Sequence, residues 1–486
     1  MVSGDGMKVV VANPPWPGKG YGARSNVRWP HRRGDKKLPY PIYLAYAVAL
    51  LKKSSFDAKG VDAVFNEWDI GRFVREMQSM KPGAVLLEVS TPSIDCDLET
   101  AKRLKEILPG TMLVFCGPHA TYFSEEIIRE HAFVDAVIRG EFEFAFKEIC
   151  EALREKRSFS GIKGITYRDN AGGVKRAEDR PLLEDLDKLP WPDREDFPIG
   201  RYQQAFYCGR KTALMVSSRG CPFQCTYCLW PSTLTHRRYR IRDQKKVVDE
   251  IEFLIKKEGI DEVFFDDDEF IINKKKVLDF CREMIRRGIR IKWHCMGRVD
   301  IVDGELLGMM KEAGCYQIFY GFESGSEKIL KSLKKGITKA QIRRAVGLTK
   351  KAGIVCGGSF ILGTPEESWE TLKETTGFAK SLGSDWVQFA LCSPFPGTPM
   401  YEEAKRSGLL EASSWSDFDG SKGPIVRTKY LSRKDLEGVQ RKAYLSYYTA
   451  PAVIWANLRS VRSFRQAKRI ARGMRSVISR LLYYDK

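Results

Sequence analysis

Short apolar runs alternate with amphipathic stretches along the first third of the chain. Residues 7–12 form an apolar run that stops at an Asn-Pro-Pro sequence, which predicts a buried first strand. The same criteria predict strands at 84–89, 112–116 and 136–138 and helices at 41–53, 98–108, 123–131 and 144–155. This alternation predicts an open, doubly wound, Rossmann-like α/β sheet over residues 7–156.

The loops after these predicted strands carry small and polar residues. In doubly wound sheets, ligands bind at the carboxyl ends of the strands. The sequence therefore predicts a binding edge whose candidate residues are Pro14, Ser90, Gly117, Pro118, His119, Gly140 and Glu141.

A polar segment, residues 157–204, follows the first alternation. It includes Pro190, Pro192 and Pro198, and proline disfavours helix both at its own position and at the one before it. We predict an extended linker between two domains.

From residue 205 the alternation resumes. Apolar runs predict strands at 212–216, 262–265, 290–294, 317–320, 357–362 and 386–391, with helical stretches between them. Six units over residues 205–405 predict a partial TIM-type (β/α)6 barrel, because a closed barrel has eight, and its chemistry is expected at the carboxyl ends of the strands. Residues 406–486 are predicted to form a C-terminal region with helices and a basic tail.

Composition sets the broad class of protein. A chain of 486 residues is too long for one hydrophobic core, so two or three domains are expected, and 43% hydrophobic residues suit a globular protein. Apart from one cluster the cysteines are scattered, and neither a signal peptide nor a run of 18 apolar residues is found. We therefore expect a protein of the reducing cytoplasm.

The net charge of +19 is unevenly distributed. Residues 451–486 hold seven Arg and two Lys against one Asp, with apolar and aromatic residues at helical spacing. An anionic membrane surface is the first interpretation of this tail. RNA binding and a helix packed on the barrel with a solvated basic face are the alternatives. A second basic segment, residues 21–37, is predicted as a solvated loop rather than a contact for an anionic ligand.

Three cysteines, Cys221, Cys225 and Cys228, are spaced C-x3-C-x2-C. Thiolates are soft ligands that select iron–sulfur clusters, zinc or copper(I). Three of them leave a coordination position open, as a catalytic site requires, whereas structural zinc takes four ligands. Gly220 and Pro222 suit a loop that brings three side chains to one point. A zinc loop and chance clustering of buried cysteines are the alternatives.

This loop resembles the signature of the radical S-adenosylmethionine (SAM) enzymes, in which an aromatic residue, here Tyr227, precedes the last cysteine. The resemblance implies a 4Fe–4S cluster on the three cysteines, with one iron free to bind SAM. It also implies an external one-electron reductant of the ferredoxin or flavodoxin type, and a radical that abstracts hydrogen from an unreactive carbon.

Motifs at later strand ends are similar to the same family. The resemblance implies that SAM contacts Tyr227, Asp267, Arg298, Gly321, Glu323, Ser324, Gly325, Ile361 and Gly363. The glycines are expected to let the backbone approach the ligand closely. Three of these residues have structural alternatives: Asp267 in an acidic helix N-cap, Arg298 in a surface ion pair with Asp300 or Asp303, and Glu323 as a solvated side chain in a glycine turn.

Residues 40–45, 116–121 and 135–141 resemble the cobalamin-binding domain fused to many radical SAM enzymes. The implied cobalamin contacts are the candidate residues of the binding edge. The D-x-H-x-x-G motif, whose histidine binds cobalt from below, is absent, because Trp29 stands where that motif near His31 requires aspartate. A domain that no longer binds its cofactor is the alternative.

Together the resemblances imply a cobalamin-dependent radical SAM enzyme. The preferred reaction is methylation of an unactivated carbon of a lipid or other hydrophobic metabolite. The alternative is radical cyclisation, ring contraction or oxidation without methyl transfer. An RNA-modifying enzyme is the alternative of another class, although nucleic acid is not the expected partner.

Overall fold

The computed structural model describes residues 6–455, except 26, 170, 204–206 and 452. The first part of the chain contains β1 (Lys8–Asn13), β2 (Tyr21–Ala23), β3 (His31–Arg33), α1 (Ile42–Lys53), β4 (Asp57–Asp62), α2 (Ile70–Met80), β5 (Ala84–Glu88), α3 (Ile94–Ile107), β6 (Met112–Cys116), α4 (Pro118–Tyr122), α5 (Ser124–Glu130), β7 (Ala136–Ile138), α6 (Glu143–Arg154), β8 (Ile165–Arg168) and β9 (Val174–Arg176). Short 3₁₀ helices lie at Thr91–Ser93, Leu186–Lys188 and Ile199–Arg201.

The first sheet confirms the doubly wound fold. Its strand order is β4-β1-β5-β6-β7-β8-β9, and the first five strands are parallel. Alternate side chains of β1 face opposite cores: Val9 packs with residues of α1 and α6, and Val10 packs with residues of α2, α3 and α5. The strand order reverses at β1, so the binding crevice is expected beside the carboxyl ends of β1 and β5.

The sequence did not predict β4 and α2, and β8 and β9 lie inside the segment predicted as an extended linker. Strand β8 pairs antiparallel with β7, and β9 pairs with β8. These strands are short, and β9 is mostly exposed, so their polar sequences give little hydrophobic signal. The connector between the domains is therefore shorter than 157–204.

The second part contains β10 (Thr212–Met215), β11 (Ser218–Arg219), α7 (Leu229–Thr233), β12 (Arg240–Ile241), α8 (Gln244–Glu258), β13 (Glu262–Phe265), α9 (Lys274–Arg286), β14 (Lys292–Gly297), α10 (Gly304–Glu312), β15 (Cys315–Glu323), α11 (Glu327–Ser332), α12 (Lys339–Lys351), β16 (Val355–Leu362), α13 (Trp369–Leu382), β17 (Trp386–Leu391), α14 (Pro399–Arg406), α15 (Arg433–Leu436) and α16 (Val439–Tyr448). A further 3₁₀ helix lies at Trp415–Phe418.

The order β10-β13-β14-β15-β16-β17, with all pairs parallel, confirms the partial six-stranded barrel. In the described part of the chain β10 and β17 are the two edges, so the sheet is open rather than closed.

Helix α16 covers the β17 edge of the barrel. The Tyr444 hydroxyl accepts a hydrogen bond from the Phe389 amide at 3.1 Å, and Gln440 Nε2 donates to the Phe389 carbonyl at 2.8 Å. The Tyr448 hydroxyl donates to the Val387 carbonyl at 3.0 Å. Side chains of the helix thus satisfy backbone groups that an uncovered edge would leave open.

The basic tail lies largely outside the described residues, because residues 456–486 are not described. Its membrane, RNA and packed-helix interpretations stay predictions. Within the described ranges, no helix has both the length and the apolar character needed to cross a bilayer.

Candidate functional site

The cysteine loop begins directly after β11, at the carboxyl end of β10. Gly220 has a φ of +83°, and a Cβ placed there would lie 2.0 Å from the Arg238 carbonyl oxygen. Its amide donates to Asp268 Oδ2 at 3.0 Å. Only glycine fits this close backbone turn, which directs the chain into the three cysteines.

Three other segments hold the loop in place. The Thr226 amide donates to the Leu333 carbonyl at 3.1 Å, and the Thr226 carbonyl accepts from the Met400 amide at 3.0 Å. Arg237 donates to the Phe223 carbonyl and, at 3.2 Å, to the Cys225 carbonyl. Because both loop carbonyls are held by one guanidinium, the backbone beside Cys225 is fixed before any ligand binds.

The three thiols lie in one another's electrostatic field. Cys225 is buried, and Cys221 and Cys228 are half-buried. Burial raises the pKa of the Cys221 thiol to about 12 and that of Cys228 well above its usual value, and the neighbouring thiols raise both further. A bound metal group supplies the positive charge that such thiolates lack. Among the described residues, no three metal-ligating side chains are close enough to share one metal ion. A cubane cluster does not require this, because each of its irons takes one thiolate.

Four adjacent acidic residues follow β13 and support the cysteine loop. We call Asp266, Asp267, Asp268 and Glu269 the acidic row. Asp267 is fully buried and accepts from the Ser217 amide at 2.8 Å and from the Ser217 and Ser218 hydroxyls. Burial raises the pKa of Asp267 to about 6. Its hydrogen bonds hold Ser217 and Ser218, which lead into the cysteine loop, and they do not cap a helix. The predicted contact of Asp267 with SAM stays a prediction.

Arg298 lies under the tip of the loop. Its guanidinium pairs with Asp300 at 3.0 Å, donates to the Lys335 carbonyl at 2.8 Å and lies 3.6 Å from the Phe223 ring centroid. The sequence offered this ion pair with Asp300 as the structural alternative to a SAM contact, and in it Arg298 is buried while Asp300 is half-buried. Arg298 therefore joins the cysteine loop to the segment after α11.

A buried ion pair lies beside the cysteine loop. Lys335 Nζ lies 2.8 Å from Glu323 Oε1 and 3.3 Å from the Tyr227 hydroxyl. Both Lys335 and Glu323 are buried, and Glu323 has a φ of +62°. A Cβ on Gly321 would lie 2.3 Å from Glu323 Oε1 and 2.7 Å from Lys335 Nζ. The glycine at 321 thus provides the space for the pair, and Lys335 is a site residue that the sequence did not predict.

Gly325 and Ser324 face a helix. A Cβ on Gly325 would lie 2.6 Å from Phe378 Cβ, and the Ser324 hydroxyl lies 2.9 Å from Thr375 Oγ1. Helix α13 takes the space that a Cβ on Gly325 would fill, so packing accounts for this glycine, and the predicted contacts of Ser324 and Gly325 with SAM stay predictions. The sequence cannot distinguish these two uses of glycine.

The loop after β16 turns at Gly363, which has a φ of +81° and follows the half-buried Ile361. Glu367 accepts from the amides of Gly363 and, at 3.0 Å, Thr364. Burial raises the pKa of the Glu367 carboxyl to about 7. The carboxylate fixes the turn, and the predicted contact of Ile361 and Gly363 with SAM stays a prediction.

A cavity lies between the two domains. One wall is the predicted binding edge, and the opposite wall borders the cysteine loop. It is lined by Ser90, Gly117, Pro118, His119, Gly140 and Glu141 from the first domain and by Arg219, Leu229, Trp230, Leu234, Thr235 and Asp268 from the second. Pro14 is not in the lining; its carbonyl accepts from Arg24 at 2.8 Å.

The cavity wall is mainly apolar, with a few polar groups. Gly117 has a φ of +107°, and a Cβ there would lie 2.6 Å from the Val89 carbonyl, so the loop after β6 can lie flat against the loop after β5. Thr235 Oγ1 and Asp268 Oδ1 are buried in the wall without a hydrogen-bond partner in the described part of the chain, and Asp268 Oδ1 lies 3.6 Å from Arg28 Nε. Buried polar atoms of this kind fit a polar group of a ligand.

His119 is buried against Trp415 and Phe123, and its Nδ1 lies 3.1 Å from the Thr91 hydroxyl. Burial lowers its pKa to about 3, so the ring is neutral at physiological pH.

Glu141 joins the domains rather than standing free for a ligand. It accepts two hydrogen bonds from Arg240, both at 2.8 Å, and one from Arg219 at 3.3 Å. Arg219, which directly precedes Gly220, also pairs with Glu143 at 2.6 Å. The first domain therefore holds the chain at the start of the cysteine loop.

Arg24 and Arg28 were predicted to lie in a solvated loop, and this prediction is wrong for both. Arg24 is buried and pairs with Asp97 at 2.7 Å. Arg28 pairs with Asp266 at 2.7 Å and also donates to the Asp267 carbonyl at 2.9 Å. Four adjacent carboxylates require a compensating positive charge. The acidic row is therefore the one feature of the sequence that indicates a cationic partner such as Arg28.

Comparison with known families supports this arrangement. The sequence model described as the radical SAM superfamily matches residues 215–379, and the one described as the B12 binding domain matches residues 36–150. The two matches fall on the barrel and on the doubly wound sheet.

Several relatives are similar over most of the chain. An uncharacterised methyltransferase of Pyrococcus horikoshii is 33% identical over 89% of this chain and 93% of its own. The anaerobic magnesium-protoporphyrin IX monomethyl ester cyclase of Cereibacter sphaeroides is 30% identical, with coverages of 92% and 71%. The hopanoid C-3 methylase of Methylococcus capsulatus is 23% identical, with coverages of 75% and 69%.

The fold also matches solved structures. The radical SAM methyltransferase TsrM of Kitasatospora setae, with cobalamin and a [4Fe–4S] cluster bound, superposes with a TM-score of 0.72 over 99% of this chain and 100% of its own, at 16% identity.

The cysteine loop, the interdomain cavity and both family matches agree on the cofactors, which are a 4Fe–4S cluster, SAM and cobalamin. The chain is a radical SAM enzyme and belongs to the cobalamin-binding radical SAM family.

Proposed function

We propose that the protein is a C-methyltransferase that acts on an unactivated carbon of a lipid or other hydrophobic metabolite. One observation carries the proposal: a single cavity is lined both by the predicted cobalamin edge and by residues adjoining the cysteine loop, Arg219 and Asp268. A substrate bound there lies between the two cofactors. The hopanoid methylase and the cyclase act on hydrophobic substrates by their names, which supports the substrate class.

When bound, the cluster and SAM supply a hydrogen-abstracting radical, and cobalamin supplies a methyl group. The chain's own residues hold and enclose these groups. Cys221, Cys225 and Cys228 would hold the cluster, and the Lys335–Glu323 pair provides a fixed charge pattern beside them. Because the pair and the loop are already ordered, little reorganisation is needed when the ligands bind.

Aromatic side chains form part of the cavity wall. Tyr43 and Trp230 pack edge to face at 5.4 Å, and Arg28 lies 5.2 Å from the Trp230 ring centroid. A reactive radical is protected where solvent and side reactions are excluded. The aromatic wall also favours a substrate with apolar surface.

A second reaction is supported by one observation, the 30% identity to the cyclase of Cereibacter sphaeroides. In that case the radical leads to ring formation or oxidation, with no methyl group in the product.

The proposal includes partners outside the chain. We expect a one-electron carrier protein to reduce the cluster, and an anionic membrane surface to bind the basic tail, which would bring the enzyme to a hydrophobic substrate. Liposome flotation of the full chain and of a variant ending at residue 450 tests the membrane partner. Equal flotation of the two would contradict it.

The reaction is tested with methyl-labelled SAM. The anaerobically reconstituted protein is incubated with reductant and a lipid extract of the source cells, and the organic-phase products are analysed by mass spectrometry. We expect label in a hydrophobic product with the native chain and none with Cys221, Cys225 and Cys228 all changed to Ala. An unlabelled cyclised or oxidised product would favour the second reaction, and label only in water-soluble products would contradict the hydrophobic substrate.

A further inference from the structure

We infer that a lysine-rich surface on α11 is the docking site for an acidic one-electron carrier protein. The surface comprises Lys328, Lys331 and Lys334 with the neighbouring Tyr430, and we call it the α11 surface. The inference rests on the proposed function, because it assigns a place to the external reductant.

The three lysines form one row. They recur every third residue on α11 and the turn after it, and all three are exposed, whereas Ile329, Leu330 and Leu333 are buried. Like charges at this spacing repel one another and destabilise a helix slightly. The row therefore concentrates positive potential on one face of a rigidly packed element.

The lysines differ from many others in the chain in having no carboxylate partner. Lys256 pairs with Glu252 at 2.9 Å and Lys274 with Asp303 at 2.7 Å. In the described part of the chain, Lys331 and Lys334 take part in no ion pair, and Lys328 contacts only the ring and hydroxyl of Tyr430. Unpaired surface charge is what steers an oppositely charged protein to its site.

The segment that carries the α11 surface contacts the cysteine loop through its backbone. The Leu333 carbonyl accepts the Thr226 amide at 3.1 Å, and Thr226 is bonded to Cys225. One hydrogen bond thus connects the backbone next to Lys334 with the residue next to a cluster ligand. The loop tip is also at the surface, since Pro222 and Gln224 are exposed.

Tyr430 adds an apolar contact within the charged surface. Its side chain is 57% exposed, and Lys328 Nζ lies 4.9 Å from its ring centroid. An exposed aromatic residue surrounded by charge is typical of protein interfaces, where it anchors the partner. An acidic protein with its redox group near its surface fits both features.

The electron balance is simple. The reduced carrier gives one electron to the cluster, so the carrier is oxidised and the cluster is reduced by that one electron. No bond forms or breaks in this step, and no proton or leaving group moves. Low-potential iron–sulfur and flavin carriers supply the electron.

The test compares two charge-reversal variants of the full, reconstituted enzyme. Lys331→Glu with Lys334→Glu reverses the row, and Arg290→Glu with Lys292→Glu is the matched control. Arg290 and Lys292 are equally exposed but lie at the start of β14, at the opposite end of the barrel from the cysteine loop. The readout is SAM cleavage to 5′-deoxyadenosine, driven either by reduced flavodoxin or by dithionite.

With flavodoxin, we expect the row variant to raise the KM for the carrier about tenfold or more and to lose most of its salt dependence. With dithionite, its rate should stay within about twofold of the native rate, since a small reductant needs no docking surface. The control variant should match the native enzyme in both assays.

An unchanged KM for flavodoxin in the row variant would overturn the inference. So would an equal loss in both assays, which would place the effect in the site or the fold rather than in docking. If the native enzyme fails to cleave SAM even with dithionite, the proposed function itself fails, and this inference falls with it.

Discussion

Gly321 is the residue whose side chain would most directly disturb the site. A Cβ there would lie 2.3 Å from Glu323 Oε1. Because the atoms it meets are the ends of two flexible side chains, they can move together, so the fold and the ion pair should survive while the position of the pair shifts. For Gly321→Ala we predict a change in stability below about 1 kcal/mol and a rise of about tenfold in the KM for SAM.

The measurement is SAM cleavage kinetics beside a thermal unfolding scan. Gly308→Ala is the control, since a Cβ at that exposed helix position meets nothing within 4 Å. A normal KM in Gly321→Ala would show that the position of the pair does not matter for SAM.

Lys335 neutralises a buried carboxylate, so its loss should be costly. Lys335→Met leaves Glu323 charged and buried with no ion-pair partner, which typically costs about 3–5 kcal/mol. A second change, Glu323→Gln, removes the stranded charge. We predict that the double variant recovers most of the stability lost in the single one, as measured by denaturant unfolding. Equal stability of the single variant and the native chain would mean that the pair is not buried.

At the scale of elements, α16 is required because β17 is an edge strand. The Tyr444 hydroxyl is the acceptor for the Phe389 amide. Tyr444→Phe leaves that amide without a partner, and we predict a loss of about 1–3 kcal/mol with faster hydrogen exchange at Phe389. Leu445→Ala, on the exposed side of the same helix, is the control and should change little. Unchanged exchange at Phe389 in Tyr444→Phe would argue against edge coverage.

The turn after β16 should respond to pH through Glu367. Burial raises its pKa in the folded chain to about 7, above its ordinary value of 4.5. A raised carboxyl pKa stabilises the fold at low pH, and this stability is lost as pH rises through about 7. The difference corresponds to at most about 3 kcal/mol.

Glu367→Gln keeps an oxygen acceptor for the two amides but cannot ionise. Between about pH 5 and about pH 9, we predict that the native chain loses stability relative to this variant, by up to about 3 kcal/mol. Denaturant unfolding at both pH values measures the difference. Parallel pH profiles of the two proteins would contradict the assignment.

At the scale of the whole molecule, both folds follow from the sequence because their strands are buried. The run 112–116 is continuously apolar and forms β6 inside the first sheet, and the run that follows Thr212 forms the fully buried strand β10. Strand β4 escaped prediction because its sequence, DAKGVD, is half polar. The cysteine loop was also predictable, since its spacing is local.

Contacts between distant segments were not predictable. Nothing local to Arg28 shows that it lies on Asp266, 238 positions later, and nothing local to Glu141 shows that it binds Arg219 and Arg240. Such pairs depend on how two domains are placed, which hydrophobic periodicity does not encode. Gly325 is a further example, because a glycine can leave room either for a ligand or for a packed helix, and the sequence does not tell which.

The central claim is that the chain binds two cofactors at separate places. The three cysteines of the barrel hold the cluster, and the binding edge of the first domain holds cobalamin. The direct measurement is the iron and cobalt content of the anaerobically reconstituted chain, beside that of the variant with Cys221, Cys225 and Cys228 changed to Ala. We predict about four irons and one cobalamin per native chain, and no iron but undiminished cobalamin in the variant. Four irons retained by the variant, or no cobalamin in either protein, would contradict the claim.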